Sequence, residues 1–185
     1  MLKIGIIVSS TRPGRKGRAI AQWVEEHGAG RGDAAVQVVD LADFDLSHLD
    51  EAVPAVFGTY TQQHTRDWSA TIAELDAFVV VVPEYNHSFP GALKTALDFL
   101  YDEWQDKAVA FVGYGIDGGQ RAVEQLRPIV AELGLADIGP QVAIRLMSDI
   151  VDGHVVGDAP AEQLSVVLDK LIAWGEAMKT LRPQP

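Results

Sequence analysis

The sequence predicts a three-layer α/β domain in which a doubly wound, five-stranded parallel sheet of order 2-1-3-4-5 lies between helices. Five short apolar runs alternate with five segments of helical periodicity. The third run, residues 77–82, is apolar at every position, which is typical of a central parallel strand covered on both faces. Elements that alternate in this way are joined by right-handed crossovers, so helices are expected on both faces of the sheet.

The predicted strands are rich in β-branched residues and cover residues 3–8, 36–41, 77–82, 107–114 and 138–146. The first helix is expected to begin at Arg18 and to end in the glycine-rich stretch 28–32. Three further helices are predicted at residues 65–75, 90–101 and 119–133, and a last one begins at Asp158. Residues 42–63 show no clear period and are predicted to form a long, partly irregular connection.

The length of 185 residues suits one domain, predicted over residues 1–180, with a flexible C-terminal tail at 181–185. No cysteine is present, which excludes disulfides, thiolate metal sites and cysteine nucleophiles, so redox chemistry requires a bound cofactor. The segment 148–157 carries Asp149, Asp152 and His154 at irregular spacing, which favours a solvated loop over a metal site. The apolar run at the N-terminus is too short for a signal peptide or a membrane span, and we expect a cytoplasmic protein.

The charge distribution indicates an anionic ligand. A net charge of −11 argues against binding to nucleic acids or anionic membranes. Four of the fifteen Lys and Arg residues nevertheless fall within seven positions, and they are Arg12, Arg15, Lys16 and Arg18.

This basic cluster lies in the loop after the first strand, one of three unusual loops expected at the carboxyl ends of strands one, three and four. In a sheet of this order, ligands bind where the connections after strands one and three leave in opposite directions. The first loop, residues 9–17, combines hydroxyls, guanidinium groups and glycines just before a helix, which favours a monophosphate. The spacing of a Walker loop is absent. The alternative is a solvated basic turn that caps the helix.

The second loop, residues 83–91, is rich in turn residues that expose backbone donors and acceptors, which suit the edge of a flat heteroaromatic ring. Tyr85 is expected to pack on such a ring, and Glu84 to be oriented by local N–H groups. Asn86 and Ser88 either contact the ligand or only shape the turn and cap the next helix. The third loop, residues 113–119, is rich in glycine and either leaves room for a ring edge or is a turn without a ligand.

These motifs resemble those of the NADPH-dependent FMN reductase family, which has a flavodoxin-like fold and includes azo-dye, quinone and chromate reductases. The resemblance rests on residues 10–15, 83–94 and 113–119. It implies that the first loop holds the FMN phosphate, that residues 83–86 line the isoalloxazine and that residues 113–115 border its other side. Two positions depart from the family: Ser9 replaces a frequent glycine, and Thr95 replaces a frequent asparagine. With threonine at position 95, it stays open which residue supports the second loop. The implied cofactor-binding residues are Ser10, Arg12, Arg15, Gly17, Arg18, Pro83, Glu84, Tyr85, Asn86, Gly113, Tyr114 and Gly115.

The resemblance implies an enzyme that transfers hydride from NADPH or NADH through FMN to a small acceptor, which is a quinone, an azo compound, a metal oxyanion or free flavin. No catalytic side chain and no metal is expected. A homodimer or homotetramer with the flavin near the subunit boundary is implied as well. The alternative is a flavodoxin-type electron carrier without NAD(P)H activity of its own, although carriers of that type usually hold phosphate with a loop that lacks arginine. The acceptor and the preference between NADH and NADPH stay open.

Overall fold

A computed structural model describes residues 1–182, and within them the chain forms a five-stranded parallel sheet of order β2-β1-β3-β4-β5. The predicted fold class and strand order are confirmed. The strands are β1 (Leu2–Val8), β2 (Ala34–Asp40), β3 (Ala77–Pro83), β4 (Ala108–Gly115) and β5 (Ala136–Arg145). All seven residues of β3 are buried, as its continuous apolar run predicts.

Five α-helices connect and cover these strands within the described residues. They are α1 (Gly17–Ala29), α2 (Gln63–Ala73), α3 (Gly91–Asp98), α4 (Gln120–Glu132) and α5 (Asp158–Lys179). Helices α1 and α5 pack on one face of the sheet through residues such as Ile20 and Leu168, while α2, α3 and α4 cover the other face through Trp68, Leu93 and Leu126. No helix within residues 1–182 combines the length and the apolarity needed to cross a lipid bilayer.

Two elements differ from the sequence prediction. Helix α3 ends at Asp98 rather than at residue 101, and the chain then buries both Phe99 and Leu100 before a short 3-10 helix at Asp102–Trp104. The expected solvated loop at residues 148–157 contains a hairpin of β6 (Ile150–Val151) and β7 (His154–Val155). Its turn has Asp152 and Gly153 at positive φ, a turn type that suits the twist of a two-residue hairpin.

The long connection between β2 and α2 is irregular, as predicted, and contains two 3-10 helices at Leu41–Asp43 and Ala55–Phe57. At the other end of the chain, the guanidinium of Arg182 donates to Asp76 at 2.7 Å. Residues 183–185, the rest of the predicted tail, lie outside the described residues.

Candidate functional site

The loop after β1 and the turn after β3 meet above the carboxyl ends of the strands. The hydroxyls of Ser10 and Tyr85 are 2.7 Å apart and form a hydrogen bond. The guanidinium carbon of Arg12 lies 6.0 Å from the centre of the Tyr85 ring. The convergence that the strand order predicts for these distant loops is therefore present, and it lies at the position where ligands bind in open α/β sheets.

A cleft of about 340 Å³ opens where the two loops meet the ends of β4 and β5. Its lining combines three basic side chains with apolar and aromatic ones, so the cleft suits a ligand that carries both an anionic group and a flat apolar part. Its lining residues are Arg12, Gly14, Arg15, Lys16, Pro83, Glu84, Tyr85, Tyr114, Gly115, Leu146 and Ile150.

The four basic residues of the first loop differ in how far their charge is compensated. Arg15 Nη2 donates to the carboxylate of Asp40 at 2.6 Å, and Arg18 Nη1 lies 3.8 Å from the same carboxylate, which is only 3% exposed. Within residues 1–182, Arg12 and Lys16 have no carboxylate at salt-bridge distance. The uncompensated positive charge at the cleft therefore belongs to Arg12 and Lys16, while Arg15 contributes a fixed orientation.

Arg15 also carries an unsatisfied donor. Its Nε is buried and has no hydrogen-bond partner in the part of the chain that the structure describes. A buried donor without an acceptor costs free energy, so such a group usually marks the place of a ligand or an ordered water. Because Arg15 lines the cleft, an anion bound there is a suitable acceptor.

The first turn of α1 adds backbone donors next to these arginines. Helix α1 begins at Gly17, and no described side chain caps its start. The first N–H groups of a helix have no partner within it, and together with the helix dipole they favour an anion. Gly17 itself lies beneath the cleft, where a Cβ would approach the Tyr114 hydroxyl to 2.9 Å. Burial raises the pKa of Tyr114, while the neighbouring Ser10 hydroxyl and Gly17 N–H act in the opposite direction.

The turn after β3 is a tight hairpin whose two central residues, Asn86 and His87, have positive φ. Tyr85 and Ser88 exchange both backbone hydrogen bonds across it, at 2.7 and 3.1 Å. Asn86 is exposed and does not line the cleft, so of the two roles considered for it the structure supports that of shaping the turn.

Glu84 is held by α4 rather than by its own loop. Its carboxylate accepts the Arg121 guanidinium at 2.9 Å and the Arg121 backbone N–H at 3.3 Å. Both donors belong to Arg121, which is 37 positions away in the sequence, so Glu84 is not oriented by the local N–H groups that were expected, and the guanidinium supplies the stronger contact.

The glycine-rich loop after β4 separates into two parts. Gly115 and Tyr114 line the cleft, whereas Gly113 does not. A Cβ on Gly113 would approach the Gly118 carbonyl oxygen to 2.7 Å. The space beside the Gly113 Cα is therefore taken by the chain itself, and the expectation that Gly113 borders the ring stays a prediction. Arg18 also lies outside the lining residues, because its side chain is directed towards Asp40.

Four lining residues were not among the predicted site residues: Gly14, Lys16, Leu146 and Ile150. Gly14 and Lys16 lie within the first loop, and their neighbours already indicated the site. Leu146 and Ile150 follow β5, where the Asp152-Gly153 pair between apolar residues is a hairpin signal that could have identified an ordered segment. Leu146 and the hairpin residue Ile150 thus form an apolar wall of the cleft.

Comparison with protein families gives one match across most of the chain. Residues 2–148 match the model of the family described as NADPH-dependent FMN reductase. The apolar wall at Ile150 and the whole of α5 lie beyond the matched part.

Comparison with known proteins gives similar enzymes in fungi and bacteria. An NAD(P)H-dependent FMN reductase of Schizosaccharomyces pombe is 37% identical over 186 residues, which cover 99% of this chain and 92% of that protein. An NAD(P)H-dependent FMN reductase of Saccharomyces cerevisiae is 36% identical over 167 residues, covering 81% of this chain and 87% of that protein. A 2-hydroxy-1,4-benzoquinone reductase of a Burkholderia species is 28% identical over 185 residues, covering 94% of this chain and 96% of that protein.

Among solved structures, the fold is similar to that of FerB, a flavoenzyme NAD(P)H:(acceptor) oxidoreductase from Paracoccus denitrificans. The TM-score is 0.77 with 21% sequence identity, and the match covers 96% of this chain and 99% of that one. At this identity the likeness concerns the fold alone.

Proposed function

The chain belongs to the NADPH-dependent FMN reductase family, and from this premise we propose that its cleft binds FMN for an NAD(P)H-dependent reduction of small acceptors. The family resemblance read from the sequence motifs is confirmed. The predicted enzyme class, the FMN cofactor and the NAD(P)H co-substrate are confirmed with it. The relatives also favour a reductase over a flavodoxin-type electron carrier, since those at 36% and 37% identity are named FMN reductases.

The residues of the cleft fit the phosphate of FMN. The buried Arg15 Nε lacks an acceptor, and the adjacent start of α1 lacks a side-chain cap within the described residues. Arg12 and Lys16 add uncompensated charge at the rim. This orphaned donor is the observation that carries the proposal, because a bound phosphate oxygen would satisfy it. We assign the phosphate to Arg12, Arg15 and the N-terminus of α1, with Ser10 beneath them.

The remaining lining residues fit a flat ring. Pro83, Tyr85, Gly115, Leu146 and Ile150 all line the cleft, so a planar group bound there would have apolar and aromatic neighbours. When bound, FMN supplies the hydride-transfer chemistry. The protein residues bind and orient the flavin and exclude water from it, and we assign no catalytic acid or base among them.

The acceptor, the assembly and the location of the enzyme are also proposed. We propose a small acceptor, with a quinone as the first candidate because one relative is named a benzoquinone reductase. Azo compounds, metal oxyanions and free flavin are the further candidates. A homodimer or homotetramer is proposed as what the family resemblance implies. A cytoplasmic location is proposed because nicotinamide co-substrates are available there.

A flavin titration combined with a nicotinamide oxidation assay tests the proposal. The purified protein should bind FMN, and the loaded protein should oxidise NADPH or NADH when a benzoquinone is supplied. Binding of FMN without oxidation of either nicotinamide would favour the electron carrier. A protein that FMN cannot reconstitute would overturn the proposal.

A matched pair of variants tests the phosphate assignment. Arg12→Ala should weaken FMN binding by about 1.5 to 3 kcal/mol, or about 10- to 150-fold, because it removes a charge-assisted contact. Lys170→Ala removes the same charge from an exposed position on α5 and should leave the affinity unchanged. Equal FMN affinities of the two variants would refute the role of Arg12.

A further inference from the structure

The turn that carries Tyr85 into the cleft has a backbone conformation that needs support. Asn86 has φ of 50° and His87 has φ of 72°, so two consecutive residues other than glycine occupy the left-handed region. Residues with a Cβ enter this region at a cost in free energy, and two in succession hold it only when surrounding contacts stabilise it. Some other part of the chain must therefore hold the turn.

The support comes from one face of α4. Arg121 and Gln125 are four residues apart, so their side chains lie on the same side of the helix. Arg121 holds Glu84 at the start of the turn, at 2.9 Å. Gln125 holds the other end, where its Nε2 donates to the His87 carbonyl at 2.6 Å and its Oε1 accepts the Ser88 hydroxyl at 2.6 Å.

Thr95, whose role in supporting the second loop the family resemblance left open, does not supply this support. Thr95 donates its hydroxyl to the Gly91 carbonyl of its own helix at 3.1 Å. Within residues 1–182 it makes no hydrogen bond to the turn. Gln125, in contrast, contacts the carbonyl of His87, one of the two residues of the turn with positive φ.

We propose that Arg121 and Gln125 are positioning residues that clamp the turn at Glu84–Ser88, so that Tyr85 is already placed in the cleft before a ligand arrives. The inference rests on the proposed function in one respect, which is that the clamped turn borders FMN. A turn that is ordered in advance loses less conformational entropy on binding, and the affinity for the ligand is correspondingly higher. Neither residue needs to contact the ligand for this effect.

Two measurements on the full-length protein separate the clamp from FMN binding itself. The first is hydrogen exchange of the backbone amides in residues 84–88 without FMN. The second is the dissociation constant of FMN from quenching of flavin fluorescence. Gln125→Ala should raise the exchange rate of the turn by about tenfold or more, because local opening governs it. The same substitution should weaken FMN binding by about three- to tenfold, which corresponds to the loss of one or two exposed hydrogen bonds.

Control variants keep the result interpretable. Gln120→Ala changes another exposed glutamine of α4 and should leave both quantities as in the wild type. Gln125→Glu retains the acceptor for Ser88 but sets a carboxylate oxygen against the His87 carbonyl, so it should raise the exchange rate and weaken FMN binding at least as much as Gln125→Ala. It serves as the second variant if Gln125→Ala fails to fold, and Gln120→Ala reports any general effect of changing a glutamine of α4.

The outcomes distinguish failure of the clamp from failure of the proposed function. If Gln125→Ala leaves the exchange of residues 84–88 unchanged, the clamp is overturned whatever FMN does. If exchange rises but FMN affinity stays at the wild-type value, the turn is held as described but does not border FMN, and the positioning role is overturned. A wild-type protein that binds no FMN overturns the proposed function, while the exchange data still report on the clamp.

Discussion

Replacing Arg15 by alanine should destabilise the ligand-free protein, because the Arg15 side chain compensates a buried carboxylate. Asp40 is 3% exposed and its Oδ2 lies 2.6 Å from Arg15 Nη2. Removing one partner of a buried ion pair typically costs about 3 to 5 kcal/mol. Asp40 keeps the Ala42 N–H at 3.1 Å and Arg18 at 3.8 Å, and Arg15 is itself 22% exposed. We therefore expect a smaller loss, about 2 to 3 kcal/mol.

Urea unfolding of the ligand-free protein, followed by tryptophan fluorescence, measures this loss. The buried Trp68 and Trp104 report on the core. Arg12→Ala is the matched control, since Arg12 is exposed and has no salt-bridge partner within residues 1–182. Its guanidinium carbon lies 6.0 Å from the centre of the Tyr85 ring, an interaction of about 0.5 to 1 kcal/mol. Each arginine substitution should weaken FMN binding, but only Arg15→Ala should also lower the free energy of unfolding substantially.

The double variant Arg15→Ala/Asp40→Asn separates the two effects. Because it removes both charges, it should regain at least half of the lost unfolding free energy without regaining FMN affinity. If Arg15→Ala unfolds at the same urea concentration as the wild type, or if the double variant is no more stable than Arg15→Ala, the ion pair does not stabilise the loop and the reasoning is refuted.

Two further predictions concern stability away from the basic loop. Lys107 is buried and donates to the Ile72 carbonyl at 2.7 Å, and burial lowers its pKa from 10.5 to about 8. The unfolded chain therefore binds the proton of Lys107 more tightly than the folded chain does. As the pH rises from 8 to 10.5, the unfolding free energy of the wild type should increase relative to that of Lys107→Met by up to about 3 kcal/mol. A difference in unfolding free energy that stays constant between pH 7.5 and 10.5 would contradict this. Gly113→Ala places a Cβ 2.7 Å from the Gly118 carbonyl oxygen and should cost about 1 to 3 kcal/mol by overpacking. Gly91→Ala, where nothing lies within 4 Å of the added Cβ, is its control, and equal melting temperatures of these two variants would show that β4 has room for the methyl group.

The sequence was sufficient for the sheet and for the meeting of the loops after β1 and β3, because both follow from local patterns and strand order. Apolar periodicity identifies the strands, and the uninterrupted run at 77–82 marks the centre of the sheet. Once the order is 2-1-3-4-5, topology alone brings the loops after β1 and β3 together. The hydrogen bond between Ser10 and Tyr85 is a direct consequence of that topology.

The contacts that tune the site could not be predicted, because they join residues that no local pattern relates. Asp40 ends β2 and reaches Arg15 only because β1 and β2 are neighbours with Val8 opposite Asp40. Gln125 reaches His87 across 38 positions of the sequence. Such pairings depend on where α4 and the strand ends lie in three dimensions. The wall at Ile150 is a different case, since the turn signal was present in the sequence and the acidic residues around it suggested a loop.

The distribution of charge explains how an acidic chain keeps a cation-rich loop folded and still attracts an anion. Four like charges within seven positions repel one another in the absence of a ligand. The carboxylate of Asp40 offsets part of this repulsion, since it pairs with Arg15 and lies close to Arg18. Because Asp40 is buried, its charge is screened little by salt, whereas Arg12 and Lys16 at the rim are exposed. In the proposed site, the electrostatic attraction for a phosphate would therefore rest mainly on Arg12 and Lys16. Asp40 fixes the Arg15 side chain through Nη2 and leaves its Nε without an acceptor within the described residues.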